Sequence, residues 1–525
     1  MERYTASTGS FRTYSKPVIA RYRNTFGNKS KYVKELGEGS QAIVDLHKLQ
    51  SGMEVAVKNY HSFDGTISAE ALREVNALQR LKDCSNIIQL YDITTEVLSD
   101  EIILRLMLKY IPYDLSYYIE HTPLLNRLSN LDSVMDQLLG ALNNLYYRGI
   151  VHCDIKPENV LVQIIAKNDI KVYLADFGLS LQLPCEIGYR NIYKNIQGTP
   201  LFYAPEVLVD NHYYTEKIDV WSLGLTLLEY IIDDTITVPK IQRKDQIIYA
   251  ILEKLTKPLP VTKDSVQIVK DGLVHDSIDV NKIIQEKIVS YATNMVKKSV
   301  VNKNVPVEDL NVMIKEKTVQ YLKLLSTDTI DKITEMLQIN PVDRYDITAV
   351  AYKVCPIVVE ELEKGPLNDG NTLKRFYTLV YKIIYASQQL NLKIDTTYRT
   401  IDFFTRYCTK YPIQTTINQD TIYSITPAAC LVLMIKLFEE NDPNYSIIAT
   451  LFGGFTITEL KYEELLVMKN ANYIFTFCDN DEMIGVLKQN GIISGVLYDT
   501  YKTMEEENLY PGEMFTFEII EYMKK

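Results

Sequence analysis

The spacing of apolar residues changes near residue 114, and this change limits the fold of the chain more than any other feature. Before it, short apolar runs predict five strands, over residues 32–36, 42–49, 54–60, 87–96 and 102–110. A helical stretch over residues 68–81 interrupts these strands. After residue 114, longer stretches at helical spacing dominate. The sequence therefore predicts a strand-rich lobe followed by a helix-rich lobe, with a ligand site between them.

Length, charge and cysteine use exclude several classes of protein. The chain has 525 residues, which suits two or three domains, and its net charge of −11 argues against direct binding to nucleic acid. The longest apolar run has eight residues, at 428–435, far below the roughly 20 of a membrane span, and no signal peptide is visible. Seven scattered cysteines predict reduced thiols. We therefore expect an intracellular protein of the cytoplasm or nucleus, without a membrane partner. The frequent Tyr, Ile, Asn and Lys residues favour an AT-rich genome, such as that of a virus or a protist. If the protein is viral, it would act inside the host cell.

Charge and turn residues divide the chain further. Residues 1–31 hold seven basic residues and one acidic residue, which predicts a flexible basic tail. The strand-rich lobe would span 32–114 and the helix-rich lobe 115–363, with amphipathic surface helices inserted at about 235–325. The turn-rich stretch 364–371 predicts a linker, which leads to a separate helical domain over 372–525.

The strand-rich block carries residues suited to a polyphosphate. Gly37 and Gly39 lie between the first two predicted strands, where a backbone without Cβ atoms permits close approach to phosphate oxygens. Taken alone, an ordinary strand turn explains these glycines as well. Lys58 lies on an apolar strand and needs a counter-charge, which Glu74 of the 68–81 helix could supply. Two solvated charges are the alternative at this point.

A second set of polar residues follows at fixed spacing. It comprises His-Cys-Asp-Ile-Lys-Pro-Glu-Asn over 152–159, Asp-Phe-Gly over 176–178, Gly-Thr-Pro over 198–200 and Ala-Pro-Glu over 204–206. Phosphoryl transfer needs a carboxylate that orients the hydroxyl, a cation near the moving group and oxygen ligands for Mg²⁺. Asp154, Lys156 and the pair Asn159 and Asp176 supply these groups in that order.

These motifs, in this order and spacing, resemble the eukaryotic protein kinase family, and the resemblance covers about residues 32–360. It implies a bilobal α+β kinase fold, ATP and Mg²⁺ as cofactors, and a protein substrate. Lys156 and Thr199 match the serine/threonine kinases of the family, so the expected substrate carries a serine or threonine hydroxyl. Asp219 matches a buried carboxylate that braces the catalytic loop, and Arg344 matches an arginine that pairs with Glu206.

The resemblance also implies a role for each matched residue. Asp154 would align and deprotonate the hydroxyl, with Lys156 and Thr199 beside it, and Lys58, held by Glu74, would bind the α- and β-phosphates. Asn159 and Asp176 would hold Mg²⁺. The nucleotide would lie against the phosphate-covering residues Leu36, Gly37, Glu38, Gly39, Ser40, Gln41, Ala42, Ile43 and Val44, the adenine-flanking Ala56 and Leu161, and the hinge residues Lys109, Tyr110 and Ile111.

Two short segments resemble cyclin-dependent kinases more narrowly. These are Ala-Leu-Arg-Glu-Val over 71–75 and Tyr-Ile-Pro-Tyr-Asp-Leu over 110–115, although similar helices occur in other kinases. Two departures argue against proline-directed specificity: Gly198 and Tyr203 replace the residues that shape the proline pocket. Cys153 replaces an arginine that grips a loop phosphate, so phosphorylation of the loop would be dispensable.

The C-terminal domain resembles a cyclin box. Its predicted helices span 372–390, 396–410, 427–440, 445–452 and 458–474, and the third contains a run that is apolar on every side and would lie at the centre. Ile-Thr-Pro-Ala-Ala-Cys-Leu over 425–431 and Lys-Leu-Phe-Glu-Glu over 436–440 match that family. Thr405 and Lys469 depart from it, standing where the family has Asp and Glu. A generic helical domain is the alternative.

Together these features predict an ATP-dependent serine/threonine kinase activated in cis by its own cyclin-like domain. The domain could contact the 68–81 helix, because the 10 residues from 363 to 372, which include the linker, extend about 33–36 Å. Leu72 is the residue expected to insert into the box. The alternatives are a C-terminal domain that recruits substrates, and a kinase fold that serves as a non-catalytic scaffold.

Overall fold

The computed structural model describes residues 30–39, 42–62, 65–98, 101–166, 169–182, 198–208, 215–232, 280–300, 306–347, 370–410, 419–439, 441–453 and 455–475. They fall into two compact units, which are Met1–Asp64 with Gln89–Tyr110, and Gly65–Ile88 with Ile111–Lys525. Most of the predicted tail and linker lies outside the described residues, as do Ser40, Gln41, residues 235–279 of the predicted insert and residues 476–525. The predicted domain boundaries stay predictions.

The first unit contains an antiparallel sheet of five strands in the order β1-β2-β3-β5-β4. The strands are β1 (Ser30–Glu38), β2 (Ala42–Leu49), β3 (Glu54–Ser62), β4 (Leu90–Leu98) and β5 (Glu101–Lys109). All five predicted strands are present. Ser30 and Lys31, predicted as the end of the tail, instead extend the hairpin by pairing with Leu49 and Lys48.

The second unit begins with helix α1 (Ala69–Arg80). The Ser68 hydroxyl caps it by accepting the N–H of Ala71 at 3.2 Å, and the helix ends at Leu81. Eight consecutive residues of α1, from 71 to 78, are buried, so the helix is covered on more than its one amphipathic face. Residue 87, predicted to begin the fourth strand, instead bridges to Leu174 of this unit, which is why β4 begins later.

Helices form most of the rest of the second unit. They are α2 (Leu115–His121), α3 (Leu124–Tyr147), α4 (Pro205–Leu208), α5 (Lys217–Ile232), α6 (Val280–Ser299), α7 (Val307–Leu322) and α8 (Thr327–Met336). Short strands β6 (Tyr113–Asp114), β8 (Val160–Ala166) and β9 (Asp169–Leu174) form one sheet, and β7 (Ile150–Val151) pairs with β10 (Leu181–Gln182). The pair α6 and α7 lies in the region predicted as a helical insert.

Five further helices follow in the same unit. They are α9 (Gly370–Gln389), α10 (Ile394–Lys410), α11 (Gln419–Phe438), α12 (Tyr445–Phe452) and α13 (Ile457–Asn470). Helix α11 contacts the other four, and every residue from 428 to 435 is buried, as the all-round apolar run predicted. Several helix ends differ from the predicted ones, and two of the differences concern the starts of α9 and α11. Helix α9 begins at Gly370, two residues before its predicted start, and α11 runs through Pro427 instead of beginning there, as a proline of the first turn would.

No helix in the described ranges is both long and apolar enough to cross a membrane. This finding concerns the described residues alone.

Candidate active site

The loop after β7 is fixed to α5 by one buried carboxylate. The two oxygens of Asp219 accept the main-chain N–H groups of His152 at 2.6 Å and Cys153 at 2.9 Å. Burial raises the pKa of Asp219 to about 7, and the two N–H donors act in the opposite direction by favouring its ionised form. The predicted bracing role of Asp219 therefore has a clear geometric basis.

His152 is a neutral spacer within this loop. Its Nε2–H donates to the carbonyl of Ala175 at 3.1 Å, its Nδ1 accepts the N–H of Asp154 at 3.3 Å, and its ring lies 4.8 Å from that of Phe177. Complete burial lowers the pKa of His152, against the opposing influence of the nearby Asp154 and Asp176 carboxylates. The ring thus ties the 152–154 loop to the 175–177 segment without adding charge.

Asp154 stands at the centre of a cluster of four predicted site residues. Its Oδ1 accepts the N–H of Thr199 at 2.8 Å, and its Oδ2 accepts from Asn159 Nδ2 at 2.8 Å and lies 3.0 Å from Lys156 Nζ. Lys156 also donates to the Thr199 hydroxyl at 2.6 Å. One carboxylate and one ammonium are therefore held together at a fixed geometry, with the side chain of Lys156 partly open to solvent.

The chain passes unusually close to this cluster at Gly198. A Cβ atom built there would lie 2.6 Å from the carbonyl oxygen of Cys153 and 3.3 Å from Asp154 Oδ1, so only glycine fits without a shift. Tyr203 lies at the same place, and burial together with the Asp154 carboxylate raises the pKa of its phenol. The two residues that depart from the cyclin-dependent kinase pattern thus lie directly at the cluster.

Asn159 and Asp176 are the predicted metal ligands. The amide nitrogen of Asn159 donates to the main-chain oxygen and to Oδ2 of Asp154, so its amide oxygen is the atom suited to a cation. The N–H of Ala175 donates to the Asn159 carbonyl at 2.9 Å, which brings the residue before Asp176 next to Asn159. Asp176 is exposed and has a φ of 65°. Two oxygen ligands of this kind fit Mg²⁺, which takes its remaining ligands from phosphate and water.

The predicted nucleotide-binding residues fall in both units. In the first unit they lie in β1 and β2 (Leu36, Gly37, Glu38, Ala42, Ile43 and Val44), between those strands (Gly39), in β3 (Ala56 and Lys58), and at or just after the end of β5 (Lys109 and Tyr110). In the second unit Leu161 lies in β8 and Ile111 precedes β6. The register places Lys58 opposite Val44 on one side and Leu106 on the other. Glu74 is buried in α1, and the Lys58–Glu74 pairing stays a prediction.

Packing among the described residues does not explain Gly37 and Gly39. Among the described residues, a Cβ atom on Gly37 would meet nothing within 4 Å, and one on Gly39 would meet only the Ala42 carbonyl oxygen at 3.5 Å. Neither has a positive φ. The open space over this backbone is what close approach of a phosphate group would require.

Arg344 and Glu206 form the predicted ion pair. Nη1 and Nη2 of Arg344 donate to the two carboxylate oxygens of Glu206, each at 2.6 Å, and both side chains are buried. The guanidinium also lies 5.1 Å from the centre of the Trp221 ring of α5. A bidentate pair of this kind fixes the segment after residue 198 to the helical core.

Several residues at the junction of α1 and α11 were missed by sequence reasoning. Lys436 donates to Glu464 Oε1 at 2.6 Å and to the carbonyl of Ile67, just before α1, at 2.7 Å. Tyr445 donates to the other oxygen of Glu464 at 2.6 Å, and Arg73 of α1 donates to the Lys436 carbonyl at 3.5 Å. The available signal was a lone lysine at the end of a buried apolar helix, which requires a partner.

The sequence of this chain is similar to those of known protein kinases. The model of the protein kinase domain family matches residues 30–353. Cyclin-dependent kinase 4 of Xenopus laevis is 33% identical over 204 residues, 38% of this chain and 61% of that protein. Serine/threonine-protein kinase KIN28 of Saccharomyces cerevisiae is 31% identical over 202 residues (38% and 62%), and cyclin-dependent kinase 7 of Dictyostelium discoideum 30% over 205 residues (38% and 53%). The chain thus spans less than two thirds of each relative.

Proposed function

The chain belongs to the protein kinase family, and from this premise we propose that it transfers a phosphoryl group from ATP to serine or threonine hydroxyls of proteins. The observation that carries the proposal is the cluster in which Asp154, Lys156, Asn159 and Thr199 are joined by hydrogen bonds of 2.6–2.8 Å. Phosphoryl transfer depends on positioning and on charge stabilisation, and this cluster supplies both. The relatives named as serine/threonine-protein kinases support the same substrate class.

In this proposal the Asp154 carboxylate accepts the proton of the attacking hydroxyl. Lys156, bonded to Thr199 and within 3.0 Å of Asp154, places a positive charge where negative charge develops. Lys58, paired with Glu74, would hold the α- and β-phosphates. Bound Mg²⁺ would neutralise phosphate charge, and the Asn159 amide oxygen and the Asp176 carboxylate would hold it.

A phosphotransfer assay on the whole chain tests this proposal. Asp154→Asn should abolish turnover while leaving ATP affinity within a few-fold, because the residue acts on the hydroxyl rather than on the nucleotide. Lys58→Met should weaken ATP binding and turnover together. Asp169→Asn removes an exposed carboxylate at the start of β9 and serves as the control. Undiminished turnover in Asp154→Asn would contradict the assignment, and an inactive wild-type chain would favour the scaffold alternative.

We further propose that the C-terminal helical domain is cyclin-like and activates the kinase in cis by holding α1. The hydrogen bonds from Lys436 to the Ile67 carbonyl and from Arg73 to the Lys436 carbonyl support this, because both join α11 to α1 or to its start. Glu74 lies on the same helix. A fixed α1 would keep Glu74 available to Lys58, a pairing that phosphoryl transfer needs in this family.

Truncation tests the cis activation. If α1 prefers an inactive position by about 3 kcal/mol without the domain, the fragment 1–365 should turn over about 10²-fold more slowly than the whole chain. Leu72→Asp should mimic the truncation, because Leu72 is buried in α1. A fragment 1–365 that is as active as the whole chain on a short generic peptide would contradict activation, and would favour recruitment of substrates by the domain.

A further inference from the structure

Asn76 lies inside α1, is 5% exposed, and forms hydrogen bonds in two directions. Its side-chain oxygen accepts the main-chain N–H of Phe475 at 3.0 Å, and its amide nitrogen donates to Gln182 Oε1 at 3.3 Å. Asparagine is a weaker helix former than alanine or leucine. Its place in the middle of α1 is therefore explained by these two bonds and not by helix propensity.

One of the two bonds reaches the C-terminal helical domain. Phe475 follows α13, its side chain is fully buried, and its ring lies 5.1 Å from the ring of Phe403 in α10. The N–H of Tyr473, two residues earlier, donates to the carbonyl of Met468 in α13 at 2.9 Å. The N–H group that Asn76 accepts is thus fixed to the core of that domain.

The other bond reaches the segment that follows the candidate metal ligand Asp176. Gln182 lies in β10, opposite Ile150 of β7, and β7 leads directly into the loop that carries Asp154. The pairing of β10 with β7 is only two residues long. A small pocket beside Gln182 is lined by residues of α1, β7, β10 and α11, so these four elements meet at this place.

We infer that Asn76 is a positioning residue: when the C-terminal helical domain docks on α1, Asn76 holds β10 in place through its hydrogen bond to Gln182. The domain would then order residues 176–182 as well as α1, and Asn76 would be the shared contact. This inference rests on the proposed cis activation. The bond between Asn76 and Gln182 is partly buried, and loss of one neutral hydrogen bond corresponds to about a fivefold change in an equilibrium, which sets the expected size of the effect.

Substitution of Gln182 in the whole chain isolates the β10 bond. Gln182→Leu should lower kcat about fivefold without raising the KM for ATP, and should speed hydrogen exchange at residues 177–182. Gln182→Glu keeps an acceptor for Asn76 and should restore both. Gln163→Leu is the matched control, because the side-chain oxygen of Gln163 in β8 also accepts a hydrogen bond from a side chain, the Tyr173 hydroxyl at 3.1 Å. It should leave the exchange of residues 177–182 unchanged.

A double-mutant cycle tests whether Asn76 acts through Gln182. Adding Gln182→Leu to Asn76→Leu should cause no further loss of kcat, because the bond is already absent. Additive losses, or unchanged exchange at residues 177–182 in Gln182→Leu, would overturn the inference. A whole chain without phosphotransfer would refute the proposed function instead, and the exchange measurements would still decide the role of Asn76.

Discussion

Replacement of Lys436 by methionine tests how the C-terminal helical domain is held to the start of α1. Lys436 and Glu464 are only 5% and 2% exposed, and Lys436 donates to both Glu464 and the Ile67 carbonyl within 2.7 Å. Methionine fills similar space without a charge. The substitution leaves the Glu464 carboxylate buried without its counter-charge, which costs about 3–5 kcal/mol of folding stability.

A second variant separates stability from activity. Lys436→Met combined with Glu464→Gln removes both charges, and the Tyr445 hydroxyl can still donate to the new amide oxygen. Most of the lost free energy of unfolding should return, since replacing a whole buried pair is often neutral. The Ile67 carbonyl still lacks its charged donor, a bond worth about 1.5–3 kcal/mol, so kcat should stay about 10- to 100-fold below wild type.

Urea unfolding and phosphotransfer rates, measured on the whole chain, provide both quantities. The control is Lys332→Met, because Lys332 pairs with Asp328 at 2.7 Å on the surface of α8, where such a pair contributes less than about 1 kcal/mol. If Lys436→Met costs no more stability than this control, the argument from burial is wrong. If the double variant regains wild-type kcat, the contact with Ile67 does not activate the kinase.

Three further predictions concern the catalytic loop. Gly198→Ala should lower kcat about tenfold, which corresponds to about 1.4 kcal/mol, because the added Cβ atom would press on the Cys153 carbonyl oxygen. The control is Gly140→Ala, which should leave kcat unchanged because an added Cβ atom there would meet no described atom within 4 Å. Equal rates would refute the steric argument. Because the pKa of Asp219 is raised to about 7, the folded chain binds one more proton than the unfolded chain between about pH 4 and 7. The contribution of Asp219 to the free energy of unfolding should therefore fall as the pH rises from about 4 to 7, and should stay constant above about pH 7. Asp219→Asn should lack this slope in urea titrations, and parallel curves would contradict the raised pKa. Phosphatase treatment should leave kcat nearly unchanged, since Cys153 cannot grip a loop phosphate; a large loss traced to a phosphosite within 180–199 would contradict this.

Local motifs made most of the candidate site predictable. The family match over residues 30–353 confirms the kinase domain that the motifs predicted. Asp154, Lys156 and Asn159 lie within six residues of one another, so their sequence spacing nearly fixes their arrangement. The bond between Lys156 and Thr199, and the pair of Arg344 and Glu206, depend on distant parts of the chain and were predictable only through the resemblance.

Contacts set by tertiary packing were not predictable from this sequence. The sequence analysis named no acid partner for Lys436, whereas the structure pairs it with Glu464, 28 residues away on α13. Glu439 instead accepts from the Lys393 N–H and the Thr396 hydroxyl. Helical spacing shows that Glu464 and Lys436 could be buried, but not which helix faces meet. Asn76 was missed for the same reason.

The covalent connection between α1 and α11 determines how their contact responds to dilution. Where an activator is a separate protein, the active fraction falls as the mixture is diluted below its Kd. Here Lys436 and Ile67 belong to one chain, so their encounter is intramolecular and has an effective concentration of about millimolar. Specific activity should then stay constant over a wide range of protein concentration, and the rate per molecule should show no lag after dilution. Under the proposed cis activation, the contact between Lys436 and Ile67 would therefore form independently of the abundance of any other protein.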